Sequence, residues 1–413
     1  GYDAVVFTGR SEKPVYLSIY GEEVELRDAS HLWGKMTYET EDEIREELGD
    51  VKVACIGVAG ENLVRYACII NDYYRAAGRG GAGAVMGSKN LKAIAVRGSK
   101  SIEVHDFDRF MDLVKDARYR YTQGRWGIAA QESLGEYGTT TLIEAEQEIG
   151  RLPTKNHYAG LFDGYEKIGS RAIKERFRKK RKSCMGCNIQ CKYVSIIDGG
   201  RYGYVFTDGP EYETLMAFGS NCLNDDLESI VYANYLCNRY GLDTISTGKC
   251  ISFAMECYEH GIIDEKIEWG DADAIINMVH RIARREGFGN VLAEGVRIAA
   301  EKIGKGAERF AIHSKGMELS GQDGRAHKSV GLTHAISVRG ADHLRSLSSL
   351  DELGYVDIAK ERYPEDYEDI MNLRLEKGKG RLIVDMEDLY AIVDSLIICK
   401  YGTMWAPIFY FPD

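Results

Sequence analysis

Over residues 4–8, 15–20 and 23–26 apolar positions alternate with polar ones or run on briefly, and turns bearing Gly or Pro cut each run. A period of two with such breaks predicts antiparallel strands, so the start of the chain is expected to be β-rich. Residues 40–49 read differently: Thr40 is a capping residue, acids follow in the first turn and Gly49 closes, which predicts a short helix. Strand character returns over 51–57. Beyond about residue 101 apolar positions recur with helical spacing, and helices joined by loops are expected to the end of the chain. Asp208 reads as the cap of a helix with Pro210 and two acids in its first turn. Further helices are predicted over 225–240, closed by Gly241, and over 246–260, 273–286, 291–303 and 387–399. The pattern gives an α+β chain: a β-rich domain to a boundary near residue 105, with helices and loops beyond it.

A chain of 413 residues has room for two or three separate cores. With 45 glycines against 6 prolines, close backbone approaches are expected rather than disorder. The net charge of −11 excludes a general nucleic-acid binder, though not a local basic dock. No run is long and apolar enough to span a bilayer and the start lacks a signal-peptide pattern, so no membrane partner and a cytoplasmic location are expected. Gly1 opens in mid-pattern and 409–413 stop without a closing element, which predicts a piece of a longer chain.

Three of the ten cysteines fall in one short stretch, Cys184, Cys187 and Cys191, at C-x2-C-x3-C spacing. A tight turn of that length returns three thiols to one centre, and a tetrahedral metal or an iron–sulfur cluster then needs a fourth ligand. Cys399 is the candidate. Spacing alone leaves zinc and iron both open. A basic run over 171–182 leads into this motif, and it reads equally as a solvated helix face or as a dock for an acidic redox partner. The glycine-rich stretch 78–93, GRGGAGAVMGSKNLKA, suits close approach to an anion, with Arg79, Ser88, Lys89, Asn90 and Lys92 adding charge and donors. It fits neither the P-loop nor the dinucleotide fingerprint. Residues 325–345 gather three His, three Arg and a Lys around Gly, where a His is more often a structural donor than a catalyst.

Taken together, 78–93, the cysteine motif, GPEYE at 209–213, YGLDTISTG at 240–248, KGME at 315–318, RGADHLR at 339–345 and DSLIIC at 394–399 resemble the tungsten-dependent aldehyde:ferredoxin oxidoreductase family. The resemblance implies a tungsten-bis-molybdopterin cofactor beside a [4Fe–4S] cluster, and a β-rich first domain over 1–105 that binds the pterins below two helical domains, over 106–315 and 316–413. Cys184, Cys187, Cys191 and Cys399 would ligate the cluster, favouring iron over zinc. Arg79, Gly80, Gly81, Gly83, Ser88, Lys89 and Asn90 would cradle a pterin phosphate, with a carbonyl near Gly80 on a magnesium ion. Asn238, Gly241, Leu242 and Asp243, with Asp394 and Ile398, would contact the two pterins. The proton-handling pair would be His343 and a glutamate of GPEYE, Glu213 ahead of Glu211.

Two departures of this chain from the family's D-x-x-G-L-D and D-x-x-G-L-C segments matter: Asn238 replaces an acid and Ile397 a glycine. The implied reaction is oxidation of a small aldehyde to a carboxylic acid, with electrons leaving through the cluster to ferredoxin or a similar acidic carrier; a homodimer fits the same resemblance. Asn238 and Ile397 motivate an alternative, a non-catalytic electron-transfer or scaffold subunit. A second alternative is the same cofactor used to reduce an acid or thioester.

Overall fold

The structure, a computed structural model, describes residues 4–405, so the reading of 409–413 lies outside the described residues. Six strands make one mixed sheet: β1 (Val15–Tyr20), β2 (Glu23–Asp28), β3 (Lys52–Cys55), β4 (Ile69–Asn71), β5 (Arg75–Ala77) and β6 (Leu91–Arg97), in the order β2-β1-β6-β3-β4-β5. The β1 and β6 pair is parallel and the others are antiparallel. In β1, Tyr16, Leu17, Ser18 and Ile19 are all buried, whereas the edge strand β2 is almost wholly exposed, which is why its sequence is charged. The helix Thr37–Leu48 covers one face and buries Ile44 with Tyr16, Leu32, Val53 and Ala95. Residues 4–8, expected as a strand, form none: they find no partner strand and are largely exposed.

The glycine-rich stretch turns at Gly81, where φ is +74°, into the helix Ala82–Ser88. A Cβ at Gly81 would stand 2.2 Å from the Arg65 carbonyl oxygen and one at Gly83 2.3 Å from that of Cys68. Only glycine lets this helix lie flat against residues 65–68.

After Arg97 the next element is the helix Phe107–Thr122. The largest core gathers buried residues of the helices Tyr212–Phe218, Leu227–Tyr240, Thr244–Glu259, Ala272–Arg284 and Val296–Ile303. Caps fix their ends: Asp226 accepts from the Glu228 amide, Asp243 from those of Ile245 and Ser246, and Asp271 from that of Ala274. A smaller core joins Leu350, Tyr355, Tyr363, Ile370 and Met386 near the C-terminus. No helix among the described residues is long and apolar enough to cross a membrane.

Four local readings are corrected. The expected helical region contains an antiparallel sheet, β7 (Arg178–Lys182), β8 (Lys192–Asp198) and β9 (Tyr204–Asp208), in which β8 and β9 are rich in β-branched and aromatic residues and the basic β7 is an edge. The basic run is therefore half helix (Ser170–Arg176) and half edge strand. The helix expected over 291–303 is broken at Gly295 into Phe288–Leu292 and Val296–Ile303. The last long helix is Lys379–Ser395, which ends before Cys399.

Candidate active site

A cavity of about 580 Å³ opens where β5, the end of β9, the N-terminus of Tyr212–Phe218, the C-terminus of Leu227–Tyr240 and the segment 322–353 meet. Of the family-implied residues, Arg79, Glu211, Glu213, Asn238, Leu242, Asp243 and His343 line it. Lys192, Asp208, Gln322, Arg339 and Tyr401 join them, with an apolar part from Leu134, Leu142, Val330, Leu344 and Leu347.

The two glutamates of 209–213 stand apart in role because they lie on either side of a helix start. Glu211 is the cap residue with extended backbone; its Oε1 accepts from Lys192 Nζ at 2.5 Å and its Oε2 from the Thr139 hydroxyl. Burial opposes both charges of that pair, yet each neutralises the other, so Glu211 lies below its ordinary pKa and Lys192 above its own. Glu213 is in the first turn. Its Oε2 accepts from the Gly321 amide at 2.8 Å, its Oε1 from the Gln322 side-chain amide at 2.9 Å, and His343 Nε2 is 3.7 Å from Oε1. His343 Nδ1 is buried without a hydrogen bond. The other two histidines of 325–345 are structural: His327 Nε2 contacts the Ser329 hydroxyl and lies 3.0 Å from Asp351, and His334 contacts Ser320.

Asp208, read from the sequence as a helix cap, caps nothing. The helix begins four residues later, and β9 carries the carboxylate to the cavity wall, 6% exposed, with neither oxygen hydrogen-bonded. Burial pushes its pKa up, while Arg75 Nη1, 3.2 Å from Oδ2, acts against burial.

The glycine loop divides. Gly78 and Arg79 face the cavity, but the Arg79 guanidinium is already engaged by the carbonyls of Ala341 and Glu318 and by Asp243 Oδ2 at 3.4 Å. Gly80 faces a second cavity of about 280 Å³, bordered by Arg65, Arg297, Lys315 and Arg339 with Glu294 and Glu318. Ser88, Lys89 and Asn90, expected at the phosphate, lie at the far end of Ala82–Ser88 and bond the carbonyls of Val85, Gly9 and Ser11. Gly241 closes Leu227–Tyr240 in left-handed conformation, and the carbonyl of Gly241 and amide of Asp243 pair with Cys68 and Tyr66 of the first sheet region. Asp394 pairs with Arg345 and Lys400, and neither it nor Ile398 reaches the cavity.

Cys184 and Cys399 are exposed and Cys187 and Cys191 half-buried. Burial, then Glu211 and the nearby Cys399 and Cys187 thiols, push the Cys191 thiol up to about 12, although Lys192 opposes them. Three of the four thiols therefore share one neighbourhood, and Tyr401, which lines the cavity, feels Glu211, Glu213 and Cys191. Among the described residues no three His, Cys, Asp or Glu side chains stand close enough to hold a metal ion. The thiols thus have the chemistry for an iron–sulfur cluster but are not gathered around a centre. The main cavity fits a polar heterocycle in kind: it has a carboxylate with no hydrogen bond, cations and an apolar wall.

Lys192, Asp208, Gln322, Arg339 and Tyr401 were not singled out from sequence as site residues. Lys192 had a signal, since it follows Cys191 directly; the others come from segments whose meeting no local pattern encodes.

The family described as "Aldehyde ferredoxin oxidoreductase, N-terminal domain" matches residues 1–98, and "Aldehyde ferredoxin oxidoreductase, domains 2 & 3" matches 116–410. The tungsten-containing aldehyde ferredoxin oxidoreductase of Pyrococcus furiosus is 41% identical over 414 residues, covering 98% of this chain and 65% of that protein. The protein of the same name from Thermococcus kodakarensis is 39% identical, with the same coverage. A Pyrococcus furiosus aliphatic sulfonate oxidoreductase, WOR-like subunit, is 34% identical over 86% of this chain and 60% of its own. Among solved structures, a chain of the active site complex BamBC of benzoyl coenzyme A reductase, in complex with 1,5-dienoyl-CoA, superposes with a TM-score of 0.75 at 24% identity, covering 95% of this chain and 65% of that one, a likeness of fold. The chain thus spans 65% of the length of the first two relatives.

Proposed function

The chain belongs to the aldehyde ferredoxin oxidoreductase family, and from that premise we propose that the full-length protein is a tungsten–pterin oxidoreductase that converts an aldehyde to a carboxylic acid and delivers the electrons through a [4Fe–4S] cluster to ferredoxin or a similar acidic carrier. The observation that carries this reading is Glu213 and His343, 3.7 Å apart on the wall of a cavity that Tyr401 and Lys192, the residue after Cys191, also line.

When bound, the tungsten–pterin group supplies two-electron exchange with the substrate carbon and the cluster supplies one-electron steps. In that reaction aldehyde and water become carboxylate, with loss of two electrons and three protons. The protein's part is proton handling and orientation. Glu213, fixed by two donors, takes a proton at a carboxylate oxygen from the water that provides the second product oxygen. His343 Nε2 donates a hydrogen bond to the aldehyde oxygen as charge grows on it. The apolar wall of Leu134, Leu142 and Leu347 favours an aldehyde with an apolar substituent. Arg65, Arg297 and Lys315 around Gly80 suit the pterin phosphate. Cys184, Cys187, Cys191 and Cys399 would hold the cluster once drawn together, and exposed Lys179 and Lys180 on β7 would meet the acidic carrier.

The test is ferredoxin reduction by full-length protein purified without oxygen and supplied with an aldehyde. Aldehyde-dependent reduction that slows as salt rises is expected, because exposed charges are screened over a Debye length of about 8 Å at physiological ionic strength. Tungsten-loaded protein that reduces no carrier with any aldehyde would refute the proposal.

A further inference from the structure

Among the described residues Asp208 is the one carboxylate with both oxygens buried and neither hydrogen-bonded. Such a group is strongly disfavoured unless something completes it. The wall that carries it is held firmly. Asp208 ends β9 opposite Val194, its carbonyl accepts from Asn234 Nδ2 at 2.8 Å, and the next carbonyl, of Gly209, accepts from the Ser195 hydroxyl at 2.6 Å. Nothing in β9 leads the side chain to a protein donor; it lines the cavity instead. The cation closest in charge terms is Arg75, with Nη1 3.2 Å from Oδ2, and Arg75 lines the same cavity. Lys192, Lys182 and Glu211 are the other charges that face it.

We propose that Asp208, with Arg75 beside it, is the anchor for the aminopyrimidinone edge of a pterin in this chain. Two carboxylate oxygens side by side match two adjacent N–H donors, the exocyclic amine and the ring N–H. The ring carbonyl next to that N–H then meets a guanidinium, so the edge reads donor, donor, acceptor against carboxylate and arginine. Asn238, on the same wall, presents a neutral amide whose Nδ2 is drawn to the Thr207 hydroxyl at 3.3 Å. A charged anchor at Asp208 supplies what that amide lacks. The inference rests on the reading that the cavity holds a pterin.

The test compares full-length wild-type protein with Asp208→Asn, both purified without oxygen. Pterin per chain is read from the fluorescence of the oxidised, released pterin, and the thermal midpoint is measured on each protein after the cofactor is stripped. Asp208→Asn keeps shape but turns one acceptor into a donor facing the ligand's own donors. A loss of about tenfold or more in pterin is expected, as for removal of a charged hydrogen-bond partner. The stripped variant should melt at or above the stripped wild type, because it no longer buries a carboxylate that no hydrogen bond satisfies. Adding Asn238→Asp, which returns a carboxylate to the wall, should recover part of the pterin. Wild-type pterin content in Asp208→Asn overturns this assignment alone, as does a stripped variant that melts lower, since that marks a structural carboxylate. A wild type without pterin overturns the assignment together with the proposed function.

Discussion

Glu211 and Glu213 sit one residue apart and are separated by what the backbone does between them. Glu211 caps with extended geometry and is tied to Lys192 and Thr139, whereas Glu213 enters the helix and meets Gly321, Gln322 and His343. The sequence singled out both as candidates; the choice between them depends on Gln322 and His343, which arrive from more than a hundred residues away. Asp208 was misread for a related reason. Asp-Gly-Pro is what a helix cap looks like locally, and only the pairing of β8 with β9 shows that Asp208 ends a strand. At this scale the expected outcome is that Glu213→Gln and His343→Ala each lower turnover by ~10²–10⁴-fold, the usual contribution of a positioned acid or base, with tungsten and iron content unchanged. Steady-state kinetics on metal-quantified full-length protein measures it, and turnover within a few-fold of wild type for both would remove the pair from the mechanism.

Capped helices were the most legible elements, because an Asp cap and a Gly stop act within a turn of the residue that carries them. The helix Leu227–Tyr240, between Asp226 and Gly241, is the plain case. The strands β7 to β9 were not legible, since a basic run and a cysteine motif mask the short run of Tyr, Val and Ile in β8. Ile397 is a sequence departure with a visible structural consequence. It follows the helix Lys379–Ser395 at φ +55°, a conformation costly for a β-branched residue, with its side chain 88% exposed. Because little packing is lost, Ile397→Gly should stabilise the protein by about 1 kcal/mol, the left-handed strain less the added freedom of the unfolded chain. Urea unfolding measures this, and a lower midpoint would show that Ile397 is held by packing rather than strained.

Across the whole molecule, one of the joins between the first sheet region and the helices is built around a single acid, Glu294. Arg65 and Arg285 both bind Glu294, Lys302 adds a third cation, Arg285 also reaches the carbonyls of Asn62 and Leu63, and the Tyr66 hydroxyl donates to the Leu292 carbonyl. Burial works against the Glu294 charge, but these cations lower its pKa from 4.5 to about 2. A carboxylate with a lowered folded pKa adds stability that is complete above its unfolded value and is lost as pH falls through the folded one. Stability should therefore drop as pH is lowered from 4.5 towards about 2, and Glu294→Gln should flatten that part of the curve; an unaltered acid limb would mean the clamp is screened by solvent. Such long-range joins had no local signal, although the order of motifs along the chain already pointed to the family. The claim on which the rest depends is that this scaffold holds a tungsten–pterin centre beside an iron–sulfur cluster. Metal and acid-labile sulfide analysis of full-length protein purified without oxygen tests it most directly. The account predicts tungsten with about four iron and about four sulfide per chain, whereas zinc at the cysteines with neither tungsten nor labile sulfide would contradict it.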